Sequence, residues 1–448
     1  MTFGVNDIIT RVNNATTCTT LTPLQLLQAS GSVSQFINMD EIFSVACDAL
    51  LPSAGNNTGR LVYILNTCQY KFSNGSAWSN DFSSLTSQAY AWGNNKYGAL
   101  GNNNIAASSS PVSVVSSETN WHKLSAGGSG NSIWSLGITA TGTMWSWGNN
   151  SYSQLGTTGL IPTSSPALVA GGIHDWCQVS AGNKHAVAVR ENGIASAWGL
   201  NNFGQLGLND TTTRQLPVQI SLVTWCQLSA GFLHTLAIRT NGTAWAWGSN
   251  SNGQVGDNTS INKVSPVSVV GGFTNWCQVS AGQNFSLGVR TNGTAWAWGS
   301  SDYGKLGDNT TVSKSSPVSV VGGFTDWCQV SAGSESSLAV RQNGTAWAWG
   351  SNSNGQLGDN TTVSKSSPVS VVGGFTNWCQ VSAGQSHSLG VRQNGLTWAW
   401  GSNSNGQLGD STTTNRSSPV SVIGGFTDWW EISAGGNFSL ATRKSCGF

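Results

Sequence analysis

Four residue types able to do chemistry recur in this 448-residue chain at fixed places. Six arginines, Arg190, Arg239, Arg290, Arg341, Arg392 and Arg443, share one position, with Thr139 in its first occurrence. A ring of guanidinium groups can hold an anion, because each presents a planar fork of donors. Asp257, Asp308, Asp359 and Asp410 recur in "(V/L)GD" and offer an alternative. Carboxylates pair well with guanidinium, so the arginines are expected to be structural, with these aspartates as partners. His185, His234 and His387 share their position with Phe285, Ser336, Phe438 and Trp134, a variability that suits space filling better than acid–base work. Cys177, Cys226, Cys277, Cys328 and Cys379 fall one to each "WCQ(V/L)SAG" segment and read as small buried strand residues in separate units. Cys18, Cys47, Cys68 and Cys446 show no C-x-x-C or Cys/His zinc spacing. No Ser/His/Asp order, carboxylate pair, H-E-x-x-H or phosphate-binding Gly loop emerges. The expectation is a protein that is not an enzyme and uses no cofactor and no catalytic metal.

These positions recur because the chain itself does. Trp-Gly appears at Trp92, Trp147, Trp198, Trp247, Trp298, Trp349 and Trp400, and Ser-Ala-Gly ends at Gly127, Gly182, Gly231, Gly282, Gly333, Gly384 and Gly435, which defines seven units. Within each unit "WCQVSAG" and "SLGVR" are short alternating strands, "R-x-N-G" supplies a tight hairpin turn, and "TAWAWG" returns with both Trp on one face. "SPVSVVGG" closes the unit as a fourth strand, its Pro suited to a sheet edge. Regularly spaced aromatics on one strand face are expected to pack neighbouring units together. The first Trp-Gly, at Trp92, lacks a preceding Ser-Ala-Gly hairpin, while the last hairpin, 429–443, lacks a following Trp-Gly strand. Joining the two ends makes one complete unit and removes the exposed sheet edges. Residues 87–448 are therefore expected to form an all-β, seven-bladed β-propeller in which 429–443 share a sheet with residues near 88–115.

The pattern W-x-x-(V/L)-S-A-G-x-x-x-(S/T)-L-x-(V/I)-R-x-N-G-x-x-W-x-W-G-x-N-x-x-G-Q-L-G resembles the RCC1 repeat (regulator of chromosome condensation) across residues 88–443. "GGFTNW" does not match the spaced Tyr and Trp of kelch repeats, and the WD40 signature is missing. The resemblance implies a seven-bladed propeller. It also implies guanine nucleotide exchange on a small GTPase with chromatin binding, an activity that uses a protruding wedge and charged docking surfaces. Other RCC1-like rings are protein-binding inhibitors of bacterial enzymes. The longest insertion here is four residues, near 128–132, and charge is sparse, which counts against exchange.

Differences between units point to binding. In the loop after Trp-Gly, Tyr97, Tyr152, Phe203 and Tyr303 stand where Asn252, Asn354 and Asn405 stand elsewhere. These four aromatics are the candidate binding rim, and simple loop packing is the alternative reading.

Residues 1–86 lie outside the repeat and read as a small α+β module for attachment or oligomerisation. "TPLQLLQAS" opens with Thr22 and Pro23 in helix-start order, and "SQFINMDEIFSVACDALL" is a second helical candidate. "RLVYILNTCQYKFSNGSAW" reads as a hairpin and resembles short segments of phage fibre and tail proteins. Charged residues are 8% of the chain and net charge is +1, so no basic footprint suggests nucleic acid. No secretory signal pattern opens the sequence, and no apolar run approaches a membrane span, so membrane insertion is not expected. Together these features suggest a non-enzymatic virion component, a phage tail or capsid fibre protein that folds in the host cytoplasm. Its N-terminal module would attach to other virion proteins or form a homotrimer, and its propeller would meet a host surface receptor or glycan. The alternative is a secreted or surface-associated, protein-binding RCC1-like propeller, and nucleotide exchange comes third.

Overall fold

Short alternating runs joined by tight turns fold as antiparallel meanders, and the computed structural model of the chain shows that outcome seven times. It describes residues 85–446 apart from Asn131, together with six short strands nearer the N-terminus. In blade 4, Trp276–Ala281, Phe285–Arg290, Ala295–Gly299 and Lys314–Ser319 pair antiparallel in chain order. Blades 1, 2, 3, 5 and 6 repeat this order over 121–168, 176–219, 225–268, 327–370 and 378–421. Blade 7 is composite: Trp429–Ala434 and Phe438–Cys446 supply its first two strands, and Leu85–Gly93 and Ser108–Ser113 its last two. The register across that join runs from Phe438 opposite Gly93 to Cys446 opposite Leu85. The ring closes where the sequence required it to.

The hydrophobic core is divided among the blade junctions. Seven clusters of buried residues each draw on two neighbouring blades, such as Phe285, Leu287 and Ala297 of blade 4 with Trp327, Val330 and Trp349 of blade 5. The Trp of each Trp-Gly is fully buried, whereas the Trp two residues earlier, as at Trp245, Trp296, Trp347 and Trp398, is half-buried. Every Trp-Gly indole also donates its Nε1–H to a loop carbonyl of the preceding blade, at 2.8–3.0 Å. Trp298, for example, bonds the Gln254 carbonyl at 2.9 Å. This latch needs the glycine that follows in the loop: Gly256 has φ +76°, and a Cβ there would lie 2.7 Å from the Trp298 Nε1.

Ser-Ala-Gly forms the inner wall. Each Ser Oγ accepts a hydrogen bond from the Ala N–H of the next blade at 2.9–3.0 Å, and the seventh bond, Ala126 N–H to Ser433, completes the circle. The glycine lets the backbones approach, since a Cβ on Gly282 would meet the Gly333 carbonyl at 2.6 Å.

The cysteines depart from expectation. Only Cys277 is buried and the other four are half-buried. Each occupies the bulge of its first strand, as at Cys277, where the register slips between Trp276 and Gln278. An extra residue in a strand points away from the alternating pattern. The Cys277 thiol meets the Val289 carbonyl at 3.3 Å across that slip.

Toward the N-terminus, Leu61–Ile64 pairs antiparallel with Gln69–Ser73, and Gln69–Ser73 with Trp78–Ser79, as the expected hairpin requires. Gln25–Leu27, Phe36–Asn38 and Phe43–Val45 are extended where the sequence suggested helix. The remainder of the expected α+β module, with Cys18, Cys47 and Cys68, lies outside the described residues.

Candidate functional site

Chain direction sorts the loops onto two rims. The Ser-Ala-Gly turns and the long loops after Trp-Gly lie at one end of the strands, and the "R-x-N-G" turns and "GGFT(D/N)W" connections lie at the other.

On the first rim six of the seven long loops are built around a buried asparagine, and blade 4 has Ser301 in that place. Asn250 accepts from the Val255 N–H at 2.9 Å through Oδ1, while its Nδ2 donates to Asp257 Oδ1, to the Thr259 carbonyl and to the Ile261 carbonyl at 3.0–3.1 Å. Asp257 is held in turn by Lys263 Nζ at 2.8 Å. Burial pushes the Asp257 carboxyl upward, but the bonds from Lys263, Thr259 and Asn250 outweigh it and hold the group below the usual carboxylate range. Asp308, Asp359 and Asp410 likewise face Lys314, Lys365 and Arg416 at 3.8, 3.9 and 3.1 Å. The aspartates expected to serve the repeated arginines therefore belong to the other rim. Five of the six arginines do have structural partners: Arg190, Arg341 and Arg443 donate Nε–H to Asp175, Asp326 and Asp428, and Arg290 and Arg392 to Asn275 and Asn377, at 2.7–2.8 Å.

The loops dock on the next blade. Gly98 sits so close to Ser164 that a Cβ would clash with its Cα at 2.2 Å, and the Asn103 N–H bonds the Ser164 carbonyl at 2.8 Å. The four candidate aromatics ride on these docked loops. Tyr97 and Phe203 are half-buried, and Tyr152 and Tyr303 are exposed. Among the described residues no ring pair joins them; Tyr152 lies 4.0 Å under the Lys184 ammonium of blade 2. Tyr97 differs from the rest in its surroundings. With Asn94, Asn95, Lys96, Ile105 and Ala107 of blade 7 and Pro162 and Ser164 of blade 1, it lines a groove of about 530 Å³. Ile105 in the groove wall is 72% exposed, and Ile161, next to Pro162, is 79% exposed, so apolar surface faces water here.

The insertion near 128–132 lies over the channel mouth. Ser129 Oγ bonds Asn183 Oδ1 at 3.0 Å, and the Gly130 N–H reaches Gln385 of blade 6 at 3.4 Å. Its described residues reach across the channel mouth toward blade 6.

Blade 4 carries one departure with an energetic cost. Lys305 replaces the loop glutamine; its side chain is fully buried and bonds Glu335 of blade 5 at 2.5 Å, with Asp302 at 3.8 Å. Glu335→Ala strands that ammonium and is expected to cost about 3 kcal/mol. Lys305→Gln with Glu335→Ser, which copies Gln356 and Ser386 of the next junction, should return urea-unfolding stability to near the parent value. If the single and double variants are equally stable, the pair has no structural role.

The histidine position is fully buried in every blade that carries it. His185, His234 and His387 bond Thr235, Ser286 and Ser439 of the following blade through Nε2 at 3.0–3.1 Å. Each hydroxyl spends its own hydrogen on a loop carbonyl at 2.8 Å, so the imidazole must be the donor. Nδ1 is left without a partner in all three. Burial accordingly lowers the pKa of His185 and His234 to about 3 and that of His387 to about 4. The space-filling reading holds, with an inter-blade bond added that the sequence did not reveal. Among the described residues no three His, Cys, Asp or Glu side chains gather as a metal site would need, and no helix is long and apolar enough to cross a membrane.

The molecule is thus a seven-bladed β-propeller whose blades share one framework and differ on their rims. It belongs to the RCC1 family. The RCC1-like domain model matches residues 223–447, and the regulator of chromosome condensation (RCC1) repeat matches 87–133, 141–189 and 193–238. The chain is 28% identical over 338 residues to the ultraviolet-B receptor UVR8 of Arabidopsis thaliana, covering 74% of this chain and 64% of the receptor. It is 27% identical over 296 residues to the human E3 ubiquitin-protein ligase HERC2, covering 64% of this chain and 5% of the ligase. It therefore spans less than two thirds of either relative. Prp20p from Saccharomyces cerevisiae has the same fold, with a TM-score of 0.70 at 21% identity over 82% of this chain and 94% of that one. These likenesses overturn the expected virion role. They tie the ring to plant, human and yeast RCC1-like proteins, and the low charge that suggested a particle protein is accounted for by loops built from hydrogen-bonded Asn, Thr and Ser.

Proposed function

We propose that this chain is a non-enzymatic, protein-binding RCC1-like propeller that engages its partner through the groove between blades 7 and 1. The groove carries the proposal: a concave site of about 530 Å³ with Tyr97 and exposed Ile105 beside Asn94, Asn95 and Lys96. Apolar walls with a few convergent polar groups suit an inserted side chain and its backbone. Loops displayed on a rigid scaffold are a usual place for recognition. The solved structure of Prp20p is described with binding of Gsp1p and histones, which supports protein recognition as the use of such a ring. With 8% charged residues and a net charge of +1, recognition here rests on shape and hydrogen bonding, and the amide- and hydroxyl-rich surface favours an extracellular or surface setting.

A photo-crosslinking residue placed at position 97 tests the proposal in the cells that make the protein. It should give a discrete adduct that Ile161→Asp abolishes, while the same label at position 405, the equivalent loop of blade 6, should give none. Equal adduct yields from both positions would refute the groove.

A further inference from the structure

The second rim contains an incomplete copy of its own repeat. In blades 2, 4, 5, 6 and 7 the connection entering the first strand carries Gly-Gly and ends in Asp or Asn before Trp, and that side chain accepts the arginine Nε–H at 2.7–2.8 Å. In blades 4 to 7 a Phe two residues earlier also covers the guanidinium, with Phe273, Phe324, Phe375 and Phe426 at 3.5–4.1 Å from Arg290, Arg341, Arg392 and Arg443. The segment Phe-Thr-Asp is thus the chain's own cover for this arginine.

Blade 3 lacks it. Its connection, "QISLVTW", has no Gly-Gly; counted back from Trp225, Leu222, 95% exposed, falls at the Phe place and Thr224 at the Asp place, while the smaller Val223 packs against the junction beside Trp245. Thr224 bonds Thr240 at 3.3 Å and leaves the arginine alone. Arg239 Nε is a buried donor with no acceptor. The guanidinium rests 3.5 Å over the Trp245 ring, whereas Arg290 and Arg341 stand 5.9 Å from the corresponding Trp296 and Trp347. A buried guanidinium N–H without an acceptor is costly and invites one from outside.

We propose that the open place over Arg239 is a docking site for a partner segment bearing an aromatic residue and, two residues later, an aspartate. The carboxylate would draw the guanidinium off Trp245 into the position its sister arginines hold and accept the orphaned Nε–H. The aromatic ring would cover the guanidinium as Phe324 covers Arg341, with Leu222 beside it. Aspartate is favoured over asparagine because, among the described residues, no carboxylate pairs with this arginine. The site lies on the opposite rim from the Tyr97 groove and does not depend on that groove being used.

The test uses the full chain and a capped, fluorescein-labelled peptide, Gly-Gly-Phe-Thr-Asp-Trp, copied from residues 322–327. Saturable binding by anisotropy is expected, weakened at least tenfold when the peptide's Asp is changed to Ala. Thr224→Asp supplies the missing carboxylate internally; it should raise the melting temperature and also weaken peptide binding at least tenfold. Tyr97→Ser should leave peptide binding unchanged, which separates this site from the groove. Absence of saturable binding, or binding that Thr224→Asp leaves intact, would overturn the proposal.

Discussion

Deleting residues 429–448 is expected to remove about half or more of the propeller's stability. The segment buries Trp429, Ile432, Phe438 and Leu440 in the junctions on both sides of blade 7. At roughly 1.5–3 kcal/mol for each large apolar side chain, their loss amounts to about 6–12 kcal/mol, before counting exposed partners such as Trp92 and Trp121. Whole domains are stable by only about 5–15 kcal/mol. Deletion also leaves Leu85–Gly93 as an unpaired edge and opens the Ser–Ala hydrogen-bond circle at Ser433. Urea unfolding should shift to a much lower midpoint and lose cooperativity. A peptide spanning 429–446, added in excess, should partly restore the midpoint because it binds only the folded ring. An unchanged midpoint in the truncated protein would mean that the composite blade does not hold the ring closed.

Acid should loosen the ring through its three buried histidines. Unfolded imidazole takes a proton near pH 6.5, whereas His185 and His234 resist protonation to about 3 and His387 to about 4. The unfolded chain therefore binds more protons below pH 6.5, so stability is full above that value and falls as pH drops toward the folded pKa values. Each unit of pH costs about 1.4 kcal/mol per histidine, or about 2 kcal/mol each and about 6 kcal/mol together at pH 5. Blades 4 and 7 show the remedy, since Phe285 and Phe438 fill the same position. His185→Phe, His234→Phe and His387→Phe combined should flatten the pH dependence of the melting temperature between pH 7 and 5. An equally steep profile in the triple variant would assign the acid response to carboxylates instead.

The sequence revealed most where physics acts locally. Asn-Gly turns, alternating strands and the missing hairpin halves at Trp92 and 429–443 were enough to place every blade and the join. Recurrence alone could not say which end of a strand a residue occupies, which is why Asp257 was matched to arginines that lie on the opposite rim. Asn250, Asn352 and Asn403 were overlooked, although each stands seven residues before the Asp of the Asp-x-Thr that closes its loop, a spacing legible in blades 3, 5 and 6. The one-residue slip at each cysteine also breaks the alternation of its strand and was readable. By contrast, the Thr and Ser partners of the buried histidines lie one blade away, and only the folded ring brings them together. Composition misled on the virion role, because few charges and many amides also describe how these loops are tied, and the likeness to RCC1-like proteins overturned that reading.

The Trp latch and the Ser–Ala bond are the same at the join of blades 7 and 1 as at the other six junctions. Only the longer inner strands of blade 7, Leu85–Gly93 and Phe438–Cys446, mark where the two ends of the repeat meet. Cys446 lies opposite Leu85, so a turn of a few residues could splice those positions, and the chain could be cut at any connection on the second rim. The framework has rotational indifference to where the repeat starts, and the unlike rim loops and the few unlike buried side chains, such as His234 and Phe285, tell one seventh of the circle from another.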